Sequence, residues 1–531
     1  MNRPYRDREK CVLFSGGGGQ SLLWSPGSNM KHSIRRFLLG VFGLAGAMLL
    51  LFSIQLTIDL FTQGYKLSDL AAYKIDEFRH LNNLYSRSLN QLMAVVFTTV
   101  AIAVPLTANL YSLKFLEFFI KDPINSIVLI FVIVTNTANT WLGYIAKAEF
   151  IPFAALQITS VMMVLSYAVA FPYLYYIFRF LHPDTLLGRL ENEVTTRLAL
   201  ANRQPARAGE YRARVAEAIE HLANIAIKSV DRNDRNTAIE SVLTLERLLK
   251  AYWEVKPSLP PAWFIADQSF FLGFSSAAVD DLTASRTWVE MKLYGQLNQI
   301  LSTTVPRIPE LTSTVAKTLR KLGAVPVTHN DQASRELAVE YFNTFLRLAL
   351  NRRDARSVFT VLNEYRLLVE ALNGDHPELG QEVAYYFQYY GQIARDMQLN
   401  FIVEAVAHDL GQFVPAVWKA GAPNRSRLLD RFLEYDTQAK QPLPGVKKAQ
   451  AILASFFLLH GHYEPVESIR VNFLLLDSAF IRRMREELLR VQREKYWEVT
   501  DQRMNIEYVP DAQREKLREF FDDLLTHTRA S

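Results

Sequence analysis

Cysteine is nearly absent: Cys11 is the one thiol in 531 residues. A single cysteine closes no intramolecular disulfide, which excludes a disulfide scaffold and suits a reducing compartment for the bulk of the chain. Alternating apolar–polar runs are missing from His182 onward, so no sheet is expected there. Catalytic signatures are missing too. Gly16–Gly19 in SGGGGQS lacks the preceding strand, the following helix and the Gly-Lys-Ser/Thr ending of a phosphate loop. No serine stands in a nucleophile elbow, and Cys11 lies in a tail without ordered partners to activate it. The acidic pairs Asp280-Asp281, Glu486-Glu487 and Asp522-Asp523 sit in mixed-charge patterns and read as solvated faces rather than acid/base dyads. His460-Gly461-His462 with Glu464, and His408-Asp409 earlier, have weak metal-ligand spacing, and a turn between helices explains the first group equally well. No enzyme, metal or cofactor is expected. A dense basic stripe is also lacking. Net charge is +5 and pI about 9.0, but Lys and Arg are scattered among acids, so nucleic acid is not an expected partner.

What the chain has is long uncharged runs, concentrated between Phe37 and Leu181, while mean hydropathy over the whole is only +0.02. About 20 apolar residues in a helix cross a bilayer. Four segments qualify: about Phe37–Phe61, Leu92–Leu113, Ile124–Ala146 and Pro152–Leu181, the last two joined by Lys147-Ala148-Glu149. The first is too long for a cleavable signal peptide and is followed by further spans. Basic residues flanking spans favour the cytoplasmic side. With the N-terminus inside, the inner segments hold twelve (Arg3, Arg6, Arg8, Lys10, Lys31, Arg35, Arg36, Lys114, Lys121, Arg179, Arg189, Arg197). The outer segments hold five (Lys66, Lys74, Arg79, Arg87, Lys147). Both termini are therefore expected in the cytoplasm. Residues 1–36 are expected to form a disordered basic tail, or Met30 is the true start; from Met30 the balance is still eight to five.

Polar residues inside spans are costly and face helices or water. Asn136, Asn139 and Thr140 share one face of the third span, and Asn109 joins Thr98, Thr99 and Thr107 on the second. Two readings stand: a polar lining for a permeation path, with Pro105 and Pro172 as bend points, or hydrogen bonding between helices. Gly40, Gly43, Gly46 and Ala47 read as a close-packing face, and Asp59 as a headgroup-level residue. Trp141, Tyr144, Tyr173, Tyr175 and Tyr176 read as interface anchors. The outer loop (Leu67, Leu70, Ala71, Ile75, Phe78, Leu81) has amphipathic helical spacing. It suits a helix on the outer membrane surface or one packed on the bundle.

The fold class expected is all-α: a four-helix transmembrane domain (37–181), a juxtamembrane helical subdomain (182–256) and a helical cytoplasmic domain (257–531). Helices are expected at Asp184–Asn202, Gly209–Val230, Asn233–Trp253, Thr283–Thr304, Glu310–Leu322, Ala333–Asn351, Asp354–Leu372, Pro377–Gln398 and Asn400–Lys419. Others follow at Lys447–His460, Pro465–Leu475, Ser478–Thr500 and Asp511–Leu525. Asp184 and Asp354 stand where N-caps belong, and Pro257, Pro260 and Pro261 mark a boundary. From about Asp331 the helices pair into hairpins of about 40 residues, the look of an α-solenoid, although no strict repeat recurs. The run Tyr385–Tyr390 covers both faces of a helix, core plus interface, with protein docking a secondary option.

FTTVAIAVPLTANLYS, the loop Lys121-Asp122-Pro123-Ile124-Asn125, and IAIKSVDRNDRNTA at Ile225–Ala238 resemble a bacterial membrane-protein family known only as domain of unknown function 2254. That family's last stretch reads Ser-Pro-Gly, a variable residue, then Asn-Asp-Pro. Here Ser229, Asn233 and Asp234 match, while Val230, Asp231 and Arg235 depart from it. The resemblance covers roughly residues 35–250, implies a bacterial inner-membrane location and the same topology, and brings no activity. The expected partners are the lipid bilayer, further copies of the chain, and a cytoplasmic protein. The function expected from this architecture is a homo-oligomeric pore with a cytoplasmic helical vestibule; the alternative is a membrane-anchored scaffold that recruits proteins.

Overall fold

A computed structural model describes residues 75–111, 114–147, 152–305, 307–328, 331–373, 376–423, 425–436, 442–494 and 505–528. The tail, the first expected span, the small-residue face Gly40–Ala47, Asp59 and the outer loop up to Lys74 lie outside the described residues. Every regular element within them is helical. Among the described residues, three helices are long and apolar enough to cross a membrane: Ile75–Leu110, Pro123–Ile145 and the stretch Ala155–Phe180. In their most apolar windows only 28%, 22% and 33% of residues are buried, so most of that apolar surface faces away from the described chain.

From Ile75 to Leu110 the end of the expected outer loop and the second span are one helix. Ile75–Leu110 runs 36 residues, about 54 Å at 1.5 Å per residue, well beyond a hydrocarbon core of about 30 Å. Its first half is polar (Asn82, Asn83, Ser86, Arg87, Asn90), and the apolar run begins at Leu92. Pro105 and Pro172 lie inside helices that continue past them.

Residue contacts divide the chain into two units, 1–89 with 134–173 and 90–133 with 174–531. In the smaller, Phe78 is fully buried against Ala146 and Leu156.

In the larger unit the helices stack in two rows. Arg235–Val255, Pro309–Thr328, Ala355–Leu372, Asn400–Lys419, Pro444–Leu459 and Asp511–Thr528 pack each on the next. Beside them Ala208–Asp231, Trp288–Thr304, Gln332–Asn351, Pro377–Asp396, Arg425–Glu434 and Tyr463–Val471 do the same. One apolar core runs through both rows, and the 3-10 turns holding Pro257, Pro260 and Pro261 do not interrupt it: Trp253, Leu259 and Trp263 are all buried in it. Aromatic contacts key the layers, with Tyr365 stacked on Phe342 at 4.8 Å and Trp288 Nε1 donating to Trp263 O at 3.0 Å.

A single turn recurs between the helices. At residues 229–234, 282–287, 349–354, 394–399, 417–422 and 457–462, the last residue's N–H donates to the carbonyl five back, at 2.8–3.3 Å. The penultimate residue is left-handed each time: Asn233, Arg286, Arg353, Gln398, Gly421 and Gly461. This is the Schellman stop, which satisfies the helix's last carbonyls. Two of these turns lead straight into a capping aspartate, Asp234 accepting from Thr237 N and Asp354 from Ser357 N; Asp331 caps in the same way with Ser334 N. Each cap contributes about 1 kcal/mol.

The expected boundaries shift at several places. Asp184 stands in the first turn, and His182 occupies the N-cap position. The helix expected over Thr283–Thr304 is two, Ser276–Ser285 and Trp288–Thr304, because Arg286 turns left-handed. Arg425–Glu434 was not expected as a helix, and Ser478–Arg490 ends ten residues before Thr500.

Candidate functional site

The polar face of Pro123–Ile145 faces several ways. Asn139 is fully buried; its amide donates to Asn82 O at 3.3 Å and Ser86 Oγ at 2.6 Å. Gly143, one turn on, makes room for this: a Cβ there would stand 2.6 Å from Asn82 Nδ2. Tyr167 adds a bond to Ser88 O at 2.8 Å. The acceptors Asn82 Oδ1 and Asn139 Oδ1 are buried with no hydrogen-bond partner. Asn136 is half-buried, and exposed Thr140 returns its hydroxyl to Asn136 O at 2.9 Å. Asn136, Thr137, Thr140, Trp141 and Tyr144 line an open groove of about 480 Å³. The hydroxyls of Thr99, Thr107, Thr159, Ser160 and Ser166 bond carbonyls of their own helices, which lets them sit in apolar surroundings without a partner helix. Among the expected interface anchors Trp141, Tyr144 and Tyr175 are exposed, but Tyr173 is buried.

A second polar cluster lies where the apolar helices meet the more polar helices of the larger unit. Asp122 caps Pro123–Ile145 by accepting from Ile124 N at 3.0 Å, and its other oxygen accepts from Tyr176 Oη at 2.6 Å and Arg189 at 3.2 Å. Arg189 also lies 3.9 Å from the Phe180 ring centroid. Buried Asn125 donates to Phe119 O at 3.0 Å. At the end of Ile75–Leu110, Lys228 donates to Asn109 O at 3.1 Å and Arg232 to Leu110 O. Two cations thus cover carbonyls that a helix C-terminus leaves unpaired and partially negative. Arg232 also stacks over Tyr111, 4.5 Å from its centroid. Asn109 itself, a candidate lining residue, has an exposed side chain and takes part through its carbonyl. Two of the three stretches that carried the family resemblance, 121–125 and 225–238, therefore serve as joints, a role their spacing did not announce.

Buried charge binds the rows. Glu290, fully buried, accepts from Trp253 Nε1 (3.0 Å), Lys256 (2.6 Å) and Ser334 (3.0 Å). Burial opposes the Lys256 charge, yet Glu290 and Asp331 outweigh it and hold its pKa above the usual lysine value. Along the first row Lys321 meets Glu246 (3.1 Å), Arg320 meets Glu364 (2.5 Å) and Arg366 meets Asp409 (2.8 Å). Such pairs add little net stability, because the cost of desolvating the charges offsets most of their attraction.

The remaining candidates fall into ordinary places. No group of three metal-ligating side chains gathers among the described residues. Gly461 is the left-handed residue of a turn, and His460 Nδ1 lies 2.8 Å from Phe456 O. Asp522, Asp523 and Glu487 form ion pairs with Arg485, Arg470 and Lys448. In the aromatic run Phe387 and Tyr390 enter the core while Tyr385 and Tyr389 are exposed. No family model, no curated protein and no solved structure matches the chain.

Proposed function

We propose that this is a multi-pass membrane protein that holds a long helical array at the cytoplasmic face and uses it as a scaffold for protein partners, without catalysis. The observation that carries this reading is the pair of helix rows built on one recurring turn. Such stacking supports an α-solenoid reading, and an α-solenoid's extended surface is suited to binding other proteins. The three apolar helices, with Phe37–Phe61 as a fourth span, bring both termini to the cytoplasmic side of a bacterial inner membrane, as the basic flanks require. Membership of the family that the sequence resembles belongs to the same reading. Asn139 moves the balance away from a pore, because its amide is spent on a neighbouring helix.

A homo-oligomeric pore is the second reading. The buried, unsatisfied Asn82 Oδ1 and Asn139 Oδ1 and the polar groove beside Asn136 and Thr140 favour it, since amide oxygens can replace water around a cation. Purified full-length protein in liposomes separates the two. The scaffold predicts no ion flux above empty vesicles, together with a stoichiometric protein partner retained on mild purification from native membranes. Flux that changes on Asn136→Leu establishes the pore and overturns the scaffold.

A further inference from the structure

The connection between Ile75–Leu110 and Pro123–Ile145 is a helix, Lys114–Lys121, of sequence KFLEFFIK. Its apolar and charged residues fall on different sides, and its apolar surface is divided. Phe119 is buried, edge-on to Phe180 at 5.6 Å, and Phe118 packs beside it against the core. Leu116 and Ile120, one turn apart, are 42% and 64% exposed. Glu117 and Lys121 pair at 2.5 Å on the polar edge, and Arg214 of the helix Ala208–Asp231 stands 3.9 Å from Glu117. One side of this short helix therefore meets the helical core, one is charged, and one shows bare leucine and isoleucine.

Those two residues continue a series. Val95, Ile102 and Leu106 are exposed on the preceding helix and Ile127 and Ile130 on the following one, all at 55–65%. Single exposed apolar residues need no explanation, but their recurrence on two bilayer-length helices and on the element between them does. Asp122 pins the far end of the element through Tyr176 and Arg189, so it does not swing freely.

We infer that Lys114–Lys121 is an in-plane surface helix that seats Leu116 and Ile120 at the headgroup–acyl boundary of the inner leaflet, with phospholipid as its partner. The occupant follows from continuity. The helix is joined at both ends to segments that cross the bilayer, with Lys121 in reach of anionic headgroups. The inference rests on the membrane-spanning reading above.

Spin labels in full-length protein reconstituted in phospholipid vesicles test it. In a Cys11→Ser background, single cysteines are placed at Leu116, Ile120, Ile127, Ile130 and Leu475, the last fully exposed on the helical array. Labels at 116 and 120 should collide with oxygen as strongly as those at 127 and 130, and with a water-soluble nickel chelate several-fold less than the label at 475. If 127 and 130 behave as lipid-facing while 116 and 120 match 475, the surface-helix inference fails alone. Protection of 116 and 120 from both reagents means that protein covers them, which also overturns it. If 127 and 130 themselves meet the chelate freely, the spanning reading falls first.

Discussion

Asn139 spends its amide on Asn82 O and Ser86 Oγ, so Asn139→Leu removes two hydrogen bonds and leaves both acceptors facing an apolar side chain. Interhelical polar contacts of this kind contribute about 0.6–1.7 kcal/mol in membrane bundles. A lower Tm for Asn139→Leu in detergent is expected, with Thr140→Val within about 0.5 kcal/mol of wild type because Thr140 bonds only its own helix. Equal losses would show that the Asn82–Ser86 contact is not what holds Asn139. Half-buried His408 carries a pH prediction. Burial first, then the nearby Arg366 charge, push its pKa down to about 3. Below pH 6.5 the unfolded chain takes up a proton that folded His408 refuses, so acidification from pH 7 to 5 destabilises the native state through this residue. Gln412 Nε2 faces the ring at 3.0 Å. Neighbouring Asp409, raised to about 6 by burial against the opposing pull of Arg366, acts with the opposite sign: its native carboxyl binds a proton more readily than the unfolded one. His408→Gln removes only the first effect. Its Tm should fall less than that of wild type between pH 7 and 5, and parallel slopes would contradict the assignment.

At the scale of elements, the recurring turn predicts opposite outcomes for opposite substitutions. Arg353 is exposed and held at φ 54°, a conformation that costs a side-chain-bearing residue about 1–2 kcal/mol. Part of that returns through glycine's larger unfolded entropy, so Arg353→Gly should raise stability by about 0.5–1 kcal/mol. Gly461, at φ 72°, should lose stability on replacement by valine. Denaturant midpoints of both variants check the pair; a stabilising Gly461→Val would refute the shared geometry. These turns also explain what the sequence did and did not reveal. Helix periodicity from Pro183 to Thr528 was readable because each helix buries one stripe in a common core. The repeat was not readable, since its left-handed position is filled by Asn, Arg, Gln or Gly and only backbone hydrogen bonds recur. The break at Arg286-Thr287 was missed for the same reason, arginine being no signal for a left-handed turn. The apolar spacing of Leu116, Phe119 and Ile120 fits a helix at Lys114–Lys121, but eight residues between two long apolar runs carry too few turns for periodicity to separate a helix from a loop.

For the whole molecule, a shared helix face does not say by itself what each polar residue on it meets. Asn136, Asn139 and Thr140 share a face by spacing, yet one is half-buried, one is buried and one is exposed, because neighbouring helices and not periodicity decide what that face meets. Hydropathy speaks to a different question: three long helices with mostly exposed apolar surface are costly in water and suited to hydrocarbon. Everything proposed for this chain depends on an even number of crossings that leaves the two rows of helices in the cytoplasm. Side-specific reporters in intact cells test that most directly: a fluorescent protein after Ser531 and alkaline phosphatase in the segment Lys147–Glu149. A glowing C-terminal fusion and an active phosphatase are expected; a dark C-terminal fusion with active phosphatase at Ser531 contradicts the topology and, with it, the scaffold.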